Sequence, residues 1–187
     1  MPSPLGHALA GIAAGGVIAP PATRREAVGW GTLVAFAAMA PDLDLVAGAA
    51  GVHRGPTHSL AAAVAAGALT WFVSAATARR PSDARWQERG TRQQVRRALA
   101  VTAAYATHTL LDWLSADSSA PFGIMALWPL TDNYYESSWH VFLATSRRYW
   151  RSDFWTLNLH AVVRELAILG PVAAAVARLR AWKPFTS

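Results

Sequence analysis

No cysteine occurs among the 187 residues. That excludes disulfide staples and thiolate metal sites, so any bound metal must take nitrogen and oxygen ligands. Charge is scarce as well. Asp, Glu, Lys and Arg make up 15% of the chain, against roughly 25% in soluble domains. Hydrophobic residues reach 53% and the mean hydropathy is +0.20, a composition that points to lipid. Acidic residues are the scarcer sign, eleven against seventeen Lys and Arg, for a net charge of +6. Such an excess suits nucleic acid, but the arginines stand between apolar segments and follow no one periodic face, which argues against that partner. A cleaved signal peptide is also a poor reading. Met1 to Gly6 carries no basic side chain and His7 interrupts the apolar run, so the N-terminus is expected to be retained. The length fits a single domain, residues 1–187, with room for a sizeable core.

Five apolar stretches are present, at about 5–19, 28–47, 58–78, 98–115 and 158–177. They predict an all-α fold, an integral membrane bundle of about five helices. The third stretch is the clearest: Ser59 to Ala78 holds no charge, and Arg79 and Arg80 close it. The first is short, rich in Gly and Ala, and stopped by Pro20 and Pro21, which suits a packed helix better than a lone anchor. Lys and Arg concentrate on the cytoplasmic side of membranes. If His7 starts outside, the 20–27 turn, the 79–97 loop and the C-terminal tail lie inside with twelve of the seventeen basic residues. Only Arg54, Arg147, Arg148 and Arg151 lie opposite, and Arg164 falls within the fifth stretch. The same assignment brings His7, Asp42, Asp44, His53, His58, His108 and Asp112 to one extracytoplasmic end of a multi-pass inner (cell) membrane protein.

The chemistry lies in that set. His108 and Asp112 are four apart within an apolar stretch, hence on one helical face, where they can share a metal or bond to each other. Ionisable groups at membrane depth cost roughly 2.5–3.5 kcal/mol each and tend to be functional. Pro41 turns the chain before Asp42 and Asp44, and on extended backbone two carboxylates two apart project to the same side, as divalent cations require. In His53-Arg54-Gly55-Pro56-Thr57-His58-Ser59, Gly-Pro makes a tight turn. Thr57 or Ser59 can cap the following helix, and His58 opens it. Arg54 can act as a phosphate fork or as an interfacial arginine touching lipid. In the fifth stretch Asn158 and Glu165, seven apart, share a face, whereas His160 and Glu165 diverge. Glu165 is therefore the better candidate, with an ion pair to Arg164 as its structural alternative. The segment 116–157, with Trp128, Trp139, Trp150, Trp155, Tyr134, Tyr135 and Tyr149 beside Arg147, Arg148 and Arg151, reads as lying in the head-group region, with a lid over the site as the minority reading.

The order His7, Pro41-Asp42-Leu43-Asp44, the HRGPTHS run 53–59, His108 to Asp112, and Leu127-Trp128-Pro129 resembles the YdjM-like membrane-bound metal-dependent hydrolases, over about residues 5 to 130. The resemblance implies a helical integral membrane protein with metal-dependent hydrolase activity on an undefined substrate. The order is also distantly similar to zinc-dependent phospholipase C and P1 nuclease, which would make His7, Asp42, His58, His108 and Asp112 metal ligands. Those enzymes add a later HxxxE, whereas here His160 is followed by Arg164 and only then Glu165, which puts a third metal in question. The expected mechanism is two-metal hydrolysis of a small phosphoester or lipid. Asp42 or Asp44, His58, His108 and Asp112 hold one ion; His7, Asp112 and Glu165 hold the other; Arg54 assists. Zinc suits these ligands best and manganese next. Membrane lipids are the expected partners. Two rivals stay open: an ion- or proton-conducting protein, and a structural membrane protein whose histidines satisfy one another.

Overall fold

The computed structural model describes residues 1–47, 53–78, 84–117 and 120–181. The expected closure by Arg79 and Arg80, and Lys183 of the tail, lie outside these. Within them are five long helices, α1 (Pro4–Ile18), α2 (Arg24–Met39), α4 (Leu60–Thr77), α5 (Ala84–Trp113) and α6 (Phe154–Ala181), and a single turn α3 (Asp44–Ala47). Among the described residues there is no strand; two isolated bridges join Ser115 with Phe142 and Ile124 with Tyr135.

Local chemistry sets the boundaries. Ser3 caps α1, its hydroxyl accepting from Gly6 N at 3.3 Å with Pro4 next in line, and Pro20 and Pro21 follow the helix's end. Thr23 caps α2 by accepting from Glu26 N at 3.2 Å, while Glu26 Oε2 accepts from Ala22 N at 2.9 Å. The two bonds together tie down the helix start. Of the two candidate caps for the third apolar stretch, Ser59 takes the role, accepting from Ala62 N at 3.1 Å.

The turn expected at Pro41 is present, and one sequence expectation, the 79–97 loop, is corrected. Pro41 ends α2 at Met39, and a 3₁₀ turn over Ala40–Leu43 follows, because proline supplies no N–H to the helical ladder. The 79–97 loop is helical from Ala84. From Ala84 onward the segment contains no proline, and pairs such as Arg92 with Glu88, 2.7 Å apart one turn away, support the added turns.

α1 and α5 form the middle of the bundle: α1 touches α2, α5 and α6, and α5 also touches α2 and α4. Small residues allow the approach. A Cβ on Gly11 would stand 2.5 Å from Ala38 Cβ and 2.7 Å from Val34 O, and one on Gly15 would stand 2.6 Å from Val34 Cγ1. Glycines four apart thus make one seam against α2. α4 and α6 are apolar enough and long enough to cross a membrane, each with a mean hydropathy of 1.6, and little of either is buried. Leu60, Val64, Leu69, Phe72 and Val73 of α4 are exposed, an apolar surface a water-soluble monomer rarely presents.

Gly67 is where α4 meets α5. A Cβ there would strike the Thr102 hydroxyl and come 2.9 Å from Ala98 O, whereas Gly31 has open space. Gly67→Ala should therefore destabilise by about 1–3 kcal/mol, overriding its better helix propensity. Gly31→Ala should be neutral or stabilising, the two being compared by thermal unfolding in detergent.

Candidate metal centre

Because successive long helices run in alternating directions, the start of α1, the end of α2, the start of α4 and the end of α5 meet at one end of the bundle. His7 comes from α1, Asp42 from the 3₁₀ turn after α2, His58 from a second 3₁₀ turn (Pro56–His58) leading into α4, and His108 and Asp112 from the last turns of α5. His7, His58, His108 and Asp112 are buried; the Asp42 side chain keeps 19% of its surface exposed and forms the open side.

The hydrogen bonds decide which atoms face inward. His108 Nδ1 lies 2.7 Å from Ala38 O. A carbonyl only accepts, so Nδ1 carries the proton and Nε2 presents its lone pair. Thr57 Oγ1 donates its proton to Asp44 Oδ2 at 3.1 Å and itself lies 3.0 Å from His58 Nδ1. That bond is made if His58 Nδ1 donates, which again leaves Nε2 as the lone pair. Both backbones are fixed from outside. Thr109 donates to His58 O at 2.9 Å, and Tyr105 donates to Thr57 O at 2.7 Å.

The inward atoms gather without bonding to one another. His58 Nε2 is 3.6 Å from Asp42 Oδ1 and 3.6 Å from Asp112 Oδ2; His108 Nε2 is 3.6 Å and 3.3 Å from the same two oxygens. His7 Nε2 approaches the other Asp112 oxygen at 3.5 Å, its ring stacked on His108 with centroids 3.8 Å apart. None of these donor atoms has a hydrogen-bond partner. A buried polar atom left unpaired costs about 1–3 kcal/mol, and here several share one point. Tetrahedral zinc with ligands at about 2.0–2.2 Å requires ligand atoms roughly 3.3–3.6 Å apart. The four histidine-to-aspartate distances among Asp42, His58, His108 and Asp112 fall in that range, with His7 on the second oxygen of Asp112.

The remaining candidates stand around this group. Asp42 and Asp44 do not project together as extended backbone would allow. The segment is 3₁₀ and helical, with Asp44 at φ −60° and ψ −28°, so the two carboxylates fall on opposite sides of His58. Asp44 lies behind this group, 2.8 Å from His53 Nδ1 and 3.5 Å from His58 Nδ1. Burial pushes the His53 imidazole below its ordinary pKa, outweighing the Asp44 carboxylate. Arg54 is buried at φ 69°, a left-handed backbone that costs a non-glycine residue about 1–3 kcal/mol. Three contacts hold it there: its carbonyl accepts from Met125 N at 3.1 Å, its NH1 donates to Pro121 O at 3.2 Å, and the same NH1 pairs with Asp117. Glu165 is buried on α6, where Oε1 accepts from Ser3 N at 2.7 Å and Oε2 from the Ser3 hydroxyl. It ties α6 to the start of α1, while Arg164 and His160 are exposed.

The described residues of segment 114–153 are not helical and cover this end of the bundle. Leu60 N donates to Ala126 O at 3.0 Å, Ser137 N to Trp113 O at 2.9 Å and Thr145 N to Met1 O at 3.2 Å. Phe142 packs with Ala10 and Leu111, while Leu130, Trp139, Tyr149, Trp150 and Trp155 stay exposed. Arg151 holds the Asp153 carboxyl below its usual pKa. Asp117 and Thr57 escape a reading by spacing, since each matters only through a partner distant in sequence or across a turn.

Asp44→Asn should weaken zinc binding by about 10–100-fold without abolishing it, as loss of a ligand's orienting carboxylate does, measured against a chromophoric chelator. Glu165→Ala, which removes acceptors from a buried N–H and hydroxyl, should lower stability by about 2–3 kcal/mol and leave metal content unchanged.

No curated protein and no solved structure matches the chain. A family profile, that of the YdjM inner membrane protein, matches residues 1–182, nearly the whole sequence. The chain that carries this histidine–aspartate cluster therefore belongs to the YdjM inner membrane protein family.

Proposed function

We propose that this protein is a multi-pass, membrane-bound, metal-dependent hydrolase acting on a phosphoester or lipid-type substrate. One observation carries the reading: buried nitrogen and oxygen atoms of His7, Asp42, His58, His108 and Asp112 converge with no hydrogen-bond partner among the described residues. Zinc is the first choice for these ligands and manganese the second. A bound divalent ion supplies Lewis acidity and a water acidified to a pKa of about 7.

The chain's own residues do the rest. Asp44, through the Thr57 hydroxyl, and Ala38 O keep His58 and His108 in the tautomers that ligate. Asp112 offers one oxygen to the side of His58 and His108 and the other to the side of His7, as a bridging carboxylate does. Asp42 marks the entry. Arg54 has an Nε–H that is buried and unpartnered, so it can donate to a substrate oxygen while Asp117 balances its charge. Glu165 holds the start of α1 through Ser3. An apolar groove of about 300 Å³ lined by Leu60, Thr109, Leu110, Trp113, Leu127 and Tyr135 adjoins the residues following His58 and His108, which suits an acyl chain. The apolar exteriors of α4 and α6 support membrane embedding, and arginine placement supports a site on the extracytoplasmic side.

The test is elemental analysis of detergent-purified protein with a phosphoester and lipid screen. Wild type should carry about one or two equivalents of zinc or manganese; His58→Ala and Asp112→Ala should lose metal and hydrolysis together while remaining helical. Hydrolysis retained by Asp112→Ala would overturn the scheme, and wild type that takes up no metal on reconstitution would return the cluster to a structural role.

A further inference from the structure

Far from the histidines, at the other end of the bundle, the α1–α2 turn, the start of α2, the end of α4 and the first half of α5 enclose a cavity of about 550 Å³, within the usual range for ligand sites. Its lining is basic. Arg89, Arg92, Arg96 and Arg97 contribute to it, with Glu26 as the one carboxylate among the lining residues. Here the sequence reading is corrected: once 84–97 is helix and not loop, arginines at 89, 92 and 96 recur at helical spacing and do share a face. Glu26 is committed to the cap of α2 through Ala22 N.

The arginines are placed for an anion. Arg96 donates from Nε and NH2 to Ile18 O at 3.1 Å and 3.0 Å, which fixes α5 against the end of α1. Arg97 lies over the Trp30 ring, its guanidinium carbon 5.9 Å from the centroid, a contact through the ring's face that leaves N–H donors for another partner. Arg92 pairs with Glu88 at an exposed position, where such a pair contributes little and exchanges readily. Trp30 adds a second, independent sign: it lines the cavity, and its indole N–H is buried with no acceptor among the described residues. Leu33 continues the lining along α2, an apolar wall beside the charged one.

We propose that this cavity binds the phosphate of an anionic phospholipid headgroup. The cavity's arginines outnumber its carboxylates, which favours a headgroup with net negative charge over a zwitterionic one, whose cation Arg92 and Arg97 would repel. The site does not depend on the hydrolase reading, since it lies at the opposite end from the metal ligands and shares no residue with them.

The experiment is native mass spectrometry of the full detergent-solubilised chain with equal phosphatidylglycerol and phosphatidylcholine, beside equilibrium binding of labelled inorganic phosphate. Wild type should retain phosphatidylglycerol over phosphatidylcholine by roughly tenfold or more, and Arg92→Gln/Arg97→Gln should lose that preference. Zinc content and helical circular dichroism of the variant should be unchanged. Phosphate retained by wild type and lost by the variant, with no lipid preference, would keep the anion pocket but overturn the lipid as its occupant. A folded variant that binds both lipids and phosphate as wild type does would overturn the proposal. If the double variant does not fold, Trp30→Phe decides: a severalfold loss of phosphatidylglycerol supports the site, and wild-type retention overturns it.

Discussion

A carboxylate sunk among helices costs several kcal/mol unless cations or donors surround it, and the arrangement of this bundle follows from how Asp112 is accommodated. Both of its oxygens are buried without a hydrogen bond. What faces them is imidazole, His7 on one side and His58 and His108 on the other, delivered by three different helices or their leading turns. His108 and His58 are held by an outer nitrogen or the backbone, through Ala38 O, Thr57 and Thr109. The cluster therefore draws together α1, α2, α4 and α5, and any shift of one helix would separate lone pairs that a single cation can satisfy together.

Close approach of those helices is a matter of small side chains. Gly11 and Gly15 let α1 settle on Val34 and Ala38, and Gly67 lets α4 settle on Thr102 and Ala98. Ala38 serves twice, as a packing surface for Gly11 and as the carbonyl that sets the tautomer of His108, so helix spacing and ligand chemistry are coupled at one residue. Glu165 supplies the corresponding anchor on α6, holding the first turn of α1 through Ser3.

The two ends of the bundle differ in charge for the same topological reason. Alternating helices send the carboxylates and histidines to one end and the arginines of the α1–α2 turn and of early α5 to the other. The covering segment 114–153 closes the first end with a backbone tied to Met1, Leu60 and Trp113 and aromatic side chains left outward, as suits a layer between apolar helices and water.

The sequence by itself determined the helical class, the approximate place of each long helix and the residue types of the candidate site. Apolar runs, prolines and capping residues act over a few neighbours, and a pair such as His108 and Asp112 is aligned by helical periodicity alone. It did not determine that Asp42 and Asp44 part company around His58, because that depends on a 3₁₀ turn enforced at Pro41. Nor did it show that Arg54 is neutralised by Asp117, that Glu165 serves Ser3, or that the 79–97 segment becomes a helix with arginines on one face. Those outcomes rest on contacts between residues far apart in the chain, whose energies exist only once α1 and α5 have brought the ends of the other helices together.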